Sequence, residues 1–84
     1  MNAQDYQADV ELDASGLRCP IPLLKTRMEL KRLEVGQVLL IISTDTGTKR
    51  DFHTFVAATT HELIKEEDDG SGTYRFWLEV GARS

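Results

Sequence analysis

The chain is predicted to fold as an α+β two-layer sandwich of order βαβαββ, a four-stranded mixed sheet with two helices on one face. Three observations predict it. The longest apolar run, Val38-Leu39-Leu40-Ile41-Ile42, reads as a buried central strand. Two segments, around Leu23 to Leu33 and Phe52 to Thr59, repeat their apolar residues at helical spacing. Two alternating segments flank Asp69-Gly70-Ser71-Gly72, a hairpin signal. Two helices can cover only one face of a four-stranded sheet, so the second face is left open.

The elements follow in order. Residues before Ala8 are polar and read as a disordered, frayed end. Val10 and Leu12 alternate with polar neighbours in a short strand. Asp13 to Arg18 form a turn in which Gly16 is free to take a backbone angle other residues avoid. A helix is expected from Pro20 to about Leu33, because proline suits a first helical turn, and Gly36 stops it. Gln37 to Thr44 is the central strand, rich in β-branched residues and leucine. Asp45-Thr46-Gly47 turns the chain. Thr48 with Asp51 fits a capping box, which predicts a second helix to about Thr60. Leu63 to Asp68 and Thr73 to Val80 complete the hairpin. Tyr74, Phe76, Leu78 and Val80 share one face of the last strand, and Arg75, Trp77 and Glu79 the other. Trp77 then covers the open sheet face or contacts a partner. The 84 residues make a single domain, 1–84, expected to be a monomer.

Composition removes several function classes. The formal net charge is −4, which repels nucleic acid in the absence of a local basic patch. No run approaches the roughly 20 apolar residues of a membrane span. The polar start shows no signal segment, so a cytoplasmic location is expected. There is no glycine-rich phosphate loop or nucleotide fingerprint. Two histidines and one cysteine without ligand spacing do not make a zinc site, so no metal is expected.

Chemistry concentrates on the one cysteine, in Gly16-Leu17-Arg18-Cys19-Pro20-Ile21-Pro22. A helix start carries partial positive charge and unpaired N–H groups, which push a thiol toward thiolate, its reactive form. With Cys19 as the N-cap, Pro22 offers no N–H and only Ile21 is left to donate, so a moderately acidified thiol is expected, with Arg18 adding positive charge. His53 and His61 have no spacing that ties them to Cys19 as a base. With no second cysteine there is no internal dithiol exchange. What is left is a nucleophile that can carry a group and pass it on.

The first helix bears two apolar stripes. Leu23, Arg27, Leu30 and Leu33, with Thr26, form the expected core face. Ile21, Leu24 and Met28 form another, rimmed by Lys25, Lys31 and Arg32. The second stripe is either the edge of a broad core contact or a docking patch for a partner. Asp45 and Asp51 flank the second helix start, where acids are stabilised by the helix dipole.

The stretch Leu12-Asp13-Ala14-Ser15-Gly16-Leu17-Arg18-Cys19-Pro20-Ile21-Pro22 resembles the signature of the TusA (SirA-like) family of sulfur carriers. The resemblance runs on through Gly36, Asp45 and Asp51-Phe52 and covers Val10 to Val80. It implies the same βαβαββ fold and a sulfurtransferase that holds sulfur as a persulfide on Cys19, with no other cofactor. It implies a cysteine desulfurase or rhodanese-like donor, and an acceptor protein in tRNA thiolation, molybdenum cofactor synthesis or sulfur oxidation. Pro20 and Pro22 would shape the helix start, Asp13, Asp45 and Asp51 match acidic positions of the family pattern, and Gly16 and Arg18 belong to the supporting motif. Thr46 departs from the family pattern, where proline often follows the aspartate. Thr46 to Phe52 looks more like members linked to sulfur oxidation than like those of tRNA thiolation. The alternative reading is a non-catalytic protein-binding or regulatory module built on the basic first helix.

Overall fold

The computed structural model describes residues 8–82, so the stretch 1–7, read as a frayed end, lies outside the described residues. The elements are β1 (Val10–Ala14), α1 (Ile21–Leu30), β2 (Val38–Ser43), α2 (Gly47–Ala57), β3 (Glu62–Asp68) and β4 (Tyr74–Glu79). The sheet order is β1-β2-β4-β3. β1 runs parallel to β2, while β4 lies antiparallel to both β2 and β3. This is the mixed four-stranded sheet the sequence predicts.

Period-two alternation sorts the sheet into two faces. Leu39 and Ile41 of β2 stand opposite Leu78 and Phe76 of β4, and Leu12 of β1 pairs with Ile41. All of these point to the face that packs against Leu30 and Leu33 from the first helical segment and Phe52 of α2. Phe52 and Phe76 are fully buried and meet edge to face, ring centroids 4.7 Å apart, a favoured aromatic arrangement. The other face carries Trp77 opposite Leu40. Trp77 is 7 % exposed, and the Lys65 ammonium lies 5.0 Å from its ring centre. Trp77 therefore covers the open face, the first of the two roles open to it.

The helices are shorter than their periodicity predicts. α1 begins at Ile21 and ends at Leu30. After it the backbone tightens, with Arg32 N–H donating to Glu29 and Leu33 N–H to Leu30, three-residue spacings typical of a helix end. Leu33 stays buried without being helical. α2 closes at Ala57 in the same manner, with Ala58 bonded to Phe55 and Thr59 to Val56.

Two expectations about the helix faces are corrected. Arg27 is exposed, not part of the core face. The buried line is Pro22, Thr26 and Leu30, at i, i+4 and i+8, with the Thr26 hydroxyl given to the Pro22 carbonyl at 2.8 Å. Thr26 and Leu30 are on the core face as expected, and Pro22, read only as a residue of the helix start, joins them. The capping box at Thr48 does not form either. Thr48 is buried, and its hydroxyl meets that of Ser43 at 2.8 Å, which ties the first turn of α2 to the end of β2.

Phe52→Ala empties a site where two rings interlock. It is expected to cost about 3–5 kcal/mol, a large share of the roughly 5–15 kcal/mol that holds a domain together. Chemical denaturation followed by circular dichroism measures the loss.

Candidate functional site

Cys19 lies in the loop after β1, and Asp45 in the loop after β2. Ligands of α/β sheets gather outside the carboxyl ends of parallel strands, and here two helix starts converge on that position. A methyl group built on Gly47, the first residue of α2, would lie 3.4 Å from Cys19 Cβ and 3.6 Å from Sγ. The backbone of Gly47 has no positive φ. A side chain there would make ordinary van der Waals contact with the cysteine, so residue 47 borders the sulfur, a placement not visible from its position in an apparent turn.

Two carboxylates bracket the cysteine. Asp45 Oδ2 accepts the Cys19 N–H, and Asp45 Oδ1 accepts the Gly47 N–H at 2.8 Å. Those two backbone hydrogen bonds hold the Asp45 carboxyl below its ordinary pKa. Asp51, one turn into α2, accepts a hydrogen bond from the Cys19 Sγ. Cys19 is exposed.

The direction of the thiol's ionisation is opposite to the expectation. The hydrogen bond to Asp51 pushes the Cys19 thiol above its ordinary value. Burial and the negative charges of Asp51 and Asp45 add to the rise, and Arg50 opposes it. The expectation failed because Cys19 is not the N-cap. Pro20 is, joined to Cys19 by a cis peptide bond. The Ile21 N–H goes to the Arg18 carbonyl and the Leu24 N–H to the Pro20 carbonyl. Neither donor is left for the sulfur, and the carboxylates decide its charge.

The other motif residues divide. Gly16 takes a φ of 81° and donates its N–H to the Thr44 hydroxyl at 2.8 Å, pinning the cysteine loop to the end of β2. Pro22 is buried in the core. Arg18 acts on Asp45, and the cation that acts on the sulfur is Arg50, which sequence spacing did not single out. Asp13 turns away to its own loop. It accepts the Ser15 N–H at 3.0 Å, and Ser15 lowers its pKa. His53 pairs with Glu66 at 2.8 Å, and the His61 ring accepts the Gly81 N–H. Neither contact involves Cys19.

Ile21, Leu24 and Met28 are 42 %, 48 % and 60 % exposed. The second stripe of the first helix thus faces outward and is no part of the core. Lys25, Lys31 and Arg32 around it are exposed too, with Arg32 3.7 Å from Glu29. A concavity of about 570 Å³ is at the opposite ends of the helices, lined by Arg27, Leu30, Phe55 and His61 among others. Cys19 is not in it. The thiol stands on open surface, where a protein rather than an enclosed small molecule reaches it most readily.

The family model for the sulfurtransferase TusA matches residues 10–80. This chain belongs to the TusA family. The sulfur carrier protein TusA of Allochromatium vinosum is 42 % identical over 71 residues, spanning 84 % of this chain and 92 % of that protein. The protein of the same name from Pseudomonas putida is 36 % identical over 78 residues, covering 93 % and 96 %. The crystal structure of a SirA-like protein from Desulfitobacterium hafniense superposes with a TM-score of 0.75 at 19 % identity, over 87 % of this chain and 99 % of that one. That likeness bears on the fold. Among the described residues no helix is long and apolar enough to cross a membrane.

Gly47→Ala places a methyl group in contact with Cys19. It is expected to leave the fold intact and to raise thermal stability slightly, since alanine favours a helix by about 0.5–1 kcal/mol over glycine. The same change should slow alkylation of Cys19 by a bulky maleimide several-fold. A melting curve and a labelling time course together check it.

Proposed function

We propose that this chain is a sulfur carrier of the TusA type that holds sulfane sulfur as a persulfide on Cys19. A cysteine desulfurase or rhodanese-like protein supplies the sulfur, and an acceptor protein takes it. The observation that carries the reading is the exposed Cys19 thiol between two helix starts, in a chain of this family. Cys19 has no histidine base beside it and no second thiol in the sequence. This suits a group that accepts sulfur and surrenders it, rather than one that hydrolyses a bond or forms an internal disulfide.

The outward stripe of Ile21, Leu24 and Met28 begins two residues after Cys19. Its apolar centre and its rim of Lys25, Lys31 and Arg32 suit a partner surface with an apolar patch and acidic surroundings. The same patch supports a second reading, a protein-binding module in which Cys19 does no chemistry.

Incubation with a desulfurase and cysteine should add about 32 Da per sulfur to the intact mass of the wild-type chain, and nothing to Cys19→Ser. Leu24→Glu combined with Lys31→Glu should slow loading while leaving Cys19 free to react with small reagents. An equal gain on Cys19→Ser, or no gain on wild type, contradicts the carrier. If Cys19→Ser retains full function while the double variant loses it, the binding-module reading stands instead.

A further inference from the structure

The geometry points to Asp51 as the group that keeps Cys19 protonated in the free carrier and takes its proton as sulfur is transferred. This rests on the carrier reading above. Asp51 is 32 residues from Cys19, on α2 while Cys19 is in the loop after β1, yet its carboxylate accepts the hydrogen bond of the Cys19 Sγ. It caps nothing in its own helix, since α2 has no side-chain cap hydrogen bond and Thr48 is committed to Ser43. The carboxylate is half-buried beside the sulfur.

The groups around the thiol make the pairing asymmetric. Asp45, from the loop before α2, already accepts two backbone N–H groups. Its oxygens are engaged in holding the loop, and it acts on the sulfur as a charge. Arg50, on α2, opposes the effect of the two carboxylates on the thiol, and Arg18, from the cysteine's own loop, acts on Asp45. Asp51 is the one of these whose oxygen meets the sulfur. A thiol held this way is a poor target for adventitious oxidants, because the thiolate is the reactive form.

The transfer step balances without an outside oxidant. Cys19 Sγ bonds to the outer sulfur of the donor persulfide while its proton passes to Asp51 Oδ2. The donor's S–S bond breaks, its electron pair leaves on the donor sulfur, and that sulfur takes the proton back from Asp51. Cys19–SH and donor–S–SH become Cys19–S–SH and donor–SH. The reverse sequence serves the acceptor.

Asp51→Asn keeps the size and an acceptor oxygen but removes the charge. Cys19 in this variant should alkylate with iodoacetamide several-fold faster near neutral pH. The gain is blunted because a less basic thiolate is also a weaker nucleophile. Loading from a persulfidated desulfurase should instead fall about a hundredfold, the lower end of what a positioned base contributes. Asp51→Ala, which also removes the hydrogen bond, should move both readouts in the same directions, and circular dichroism confirms that each variant is folded.

Unchanged alkylation in both variants would overturn the claim that Asp51 governs the thiol. Loading that rises in step with alkylation would make Asp51 a brake and overturn its role as proton acceptor. A wild-type chain that gains no sulfur contradicts the carrier reading and with it the proton transfer. The alkylation arm then still decides whether Asp51 holds the thiol.

Discussion

The carboxylate of Asp45 ties the cysteine loop, 26 residues before it in sequence, to the start of α2. One oxygen takes the N–H of Cys19, the other the N–H at the start of α2. Through that bridge the cysteine loop and the second helix become one local unit, and Asp51 reaches the sulfur because of it. Gly16 adds a second tie through the Thr44 hydroxyl, and Ser43 a third through Thr48. Each tie uses the carboxyl end of β1 or β2, and the parallel pairing of these strands places the two loops side by side. The site is thus a product of the sheet's topology more than of the motif around the cysteine alone.

The electrostatic character of the site follows from the same arrangement. Helix starts are usually read as places that stabilise negative charge. Here the backbone donors that could have served the sulfur are spent elsewhere: Ile21 on the Arg18 carbonyl, Gly47 on Asp45, and Pro20 and Pro22 with no N–H at all. The nearest charges at the sulfur are carboxylates. These carboxylates favour the protonated thiol in the free chain, and its reactivity then depends on what a docked partner does to that environment. An exposed apolar stripe starting two residues beyond the thiol gives such a partner somewhere to bind.

Much of the fold was legible in the sequence because strong local signals coincide. The apolar run of β2, the turn residues between β3 and β4, and the helical spacing of Phe52, Phe55 and Val56 each name one element type. The helix ends were not legible, since Leu33 keeps its apolar spacing after the backbone has left the helix. At the site, Cys19 was visible as a lone thiol between a glycine turn and two prolines. Asp45 and Asp51 were visible as acids but not as its neighbours, because a carboxylate at a helix start already has a local reason to be there. Gly47 and Arg50 gave no signal, as their roles come only from the packing of two distant loops. The expected sign of its ionisation is reversed chiefly by Asp51, whose carboxylate reaches the sulfur from α2.

The account turns on the charge state of Cys19 in the free protein. Titration of the wild-type chain by the ultraviolet absorbance of the thiolate measures it directly, because Cys19 is the single cysteine. The bracketing carboxylates predict a midpoint above the ordinary cysteine value of about 8.5, with the thiol protonated throughout the neutral range. A midpoint below that value would mean that the helix starts outweigh Asp45 and Asp51, and would contradict the account.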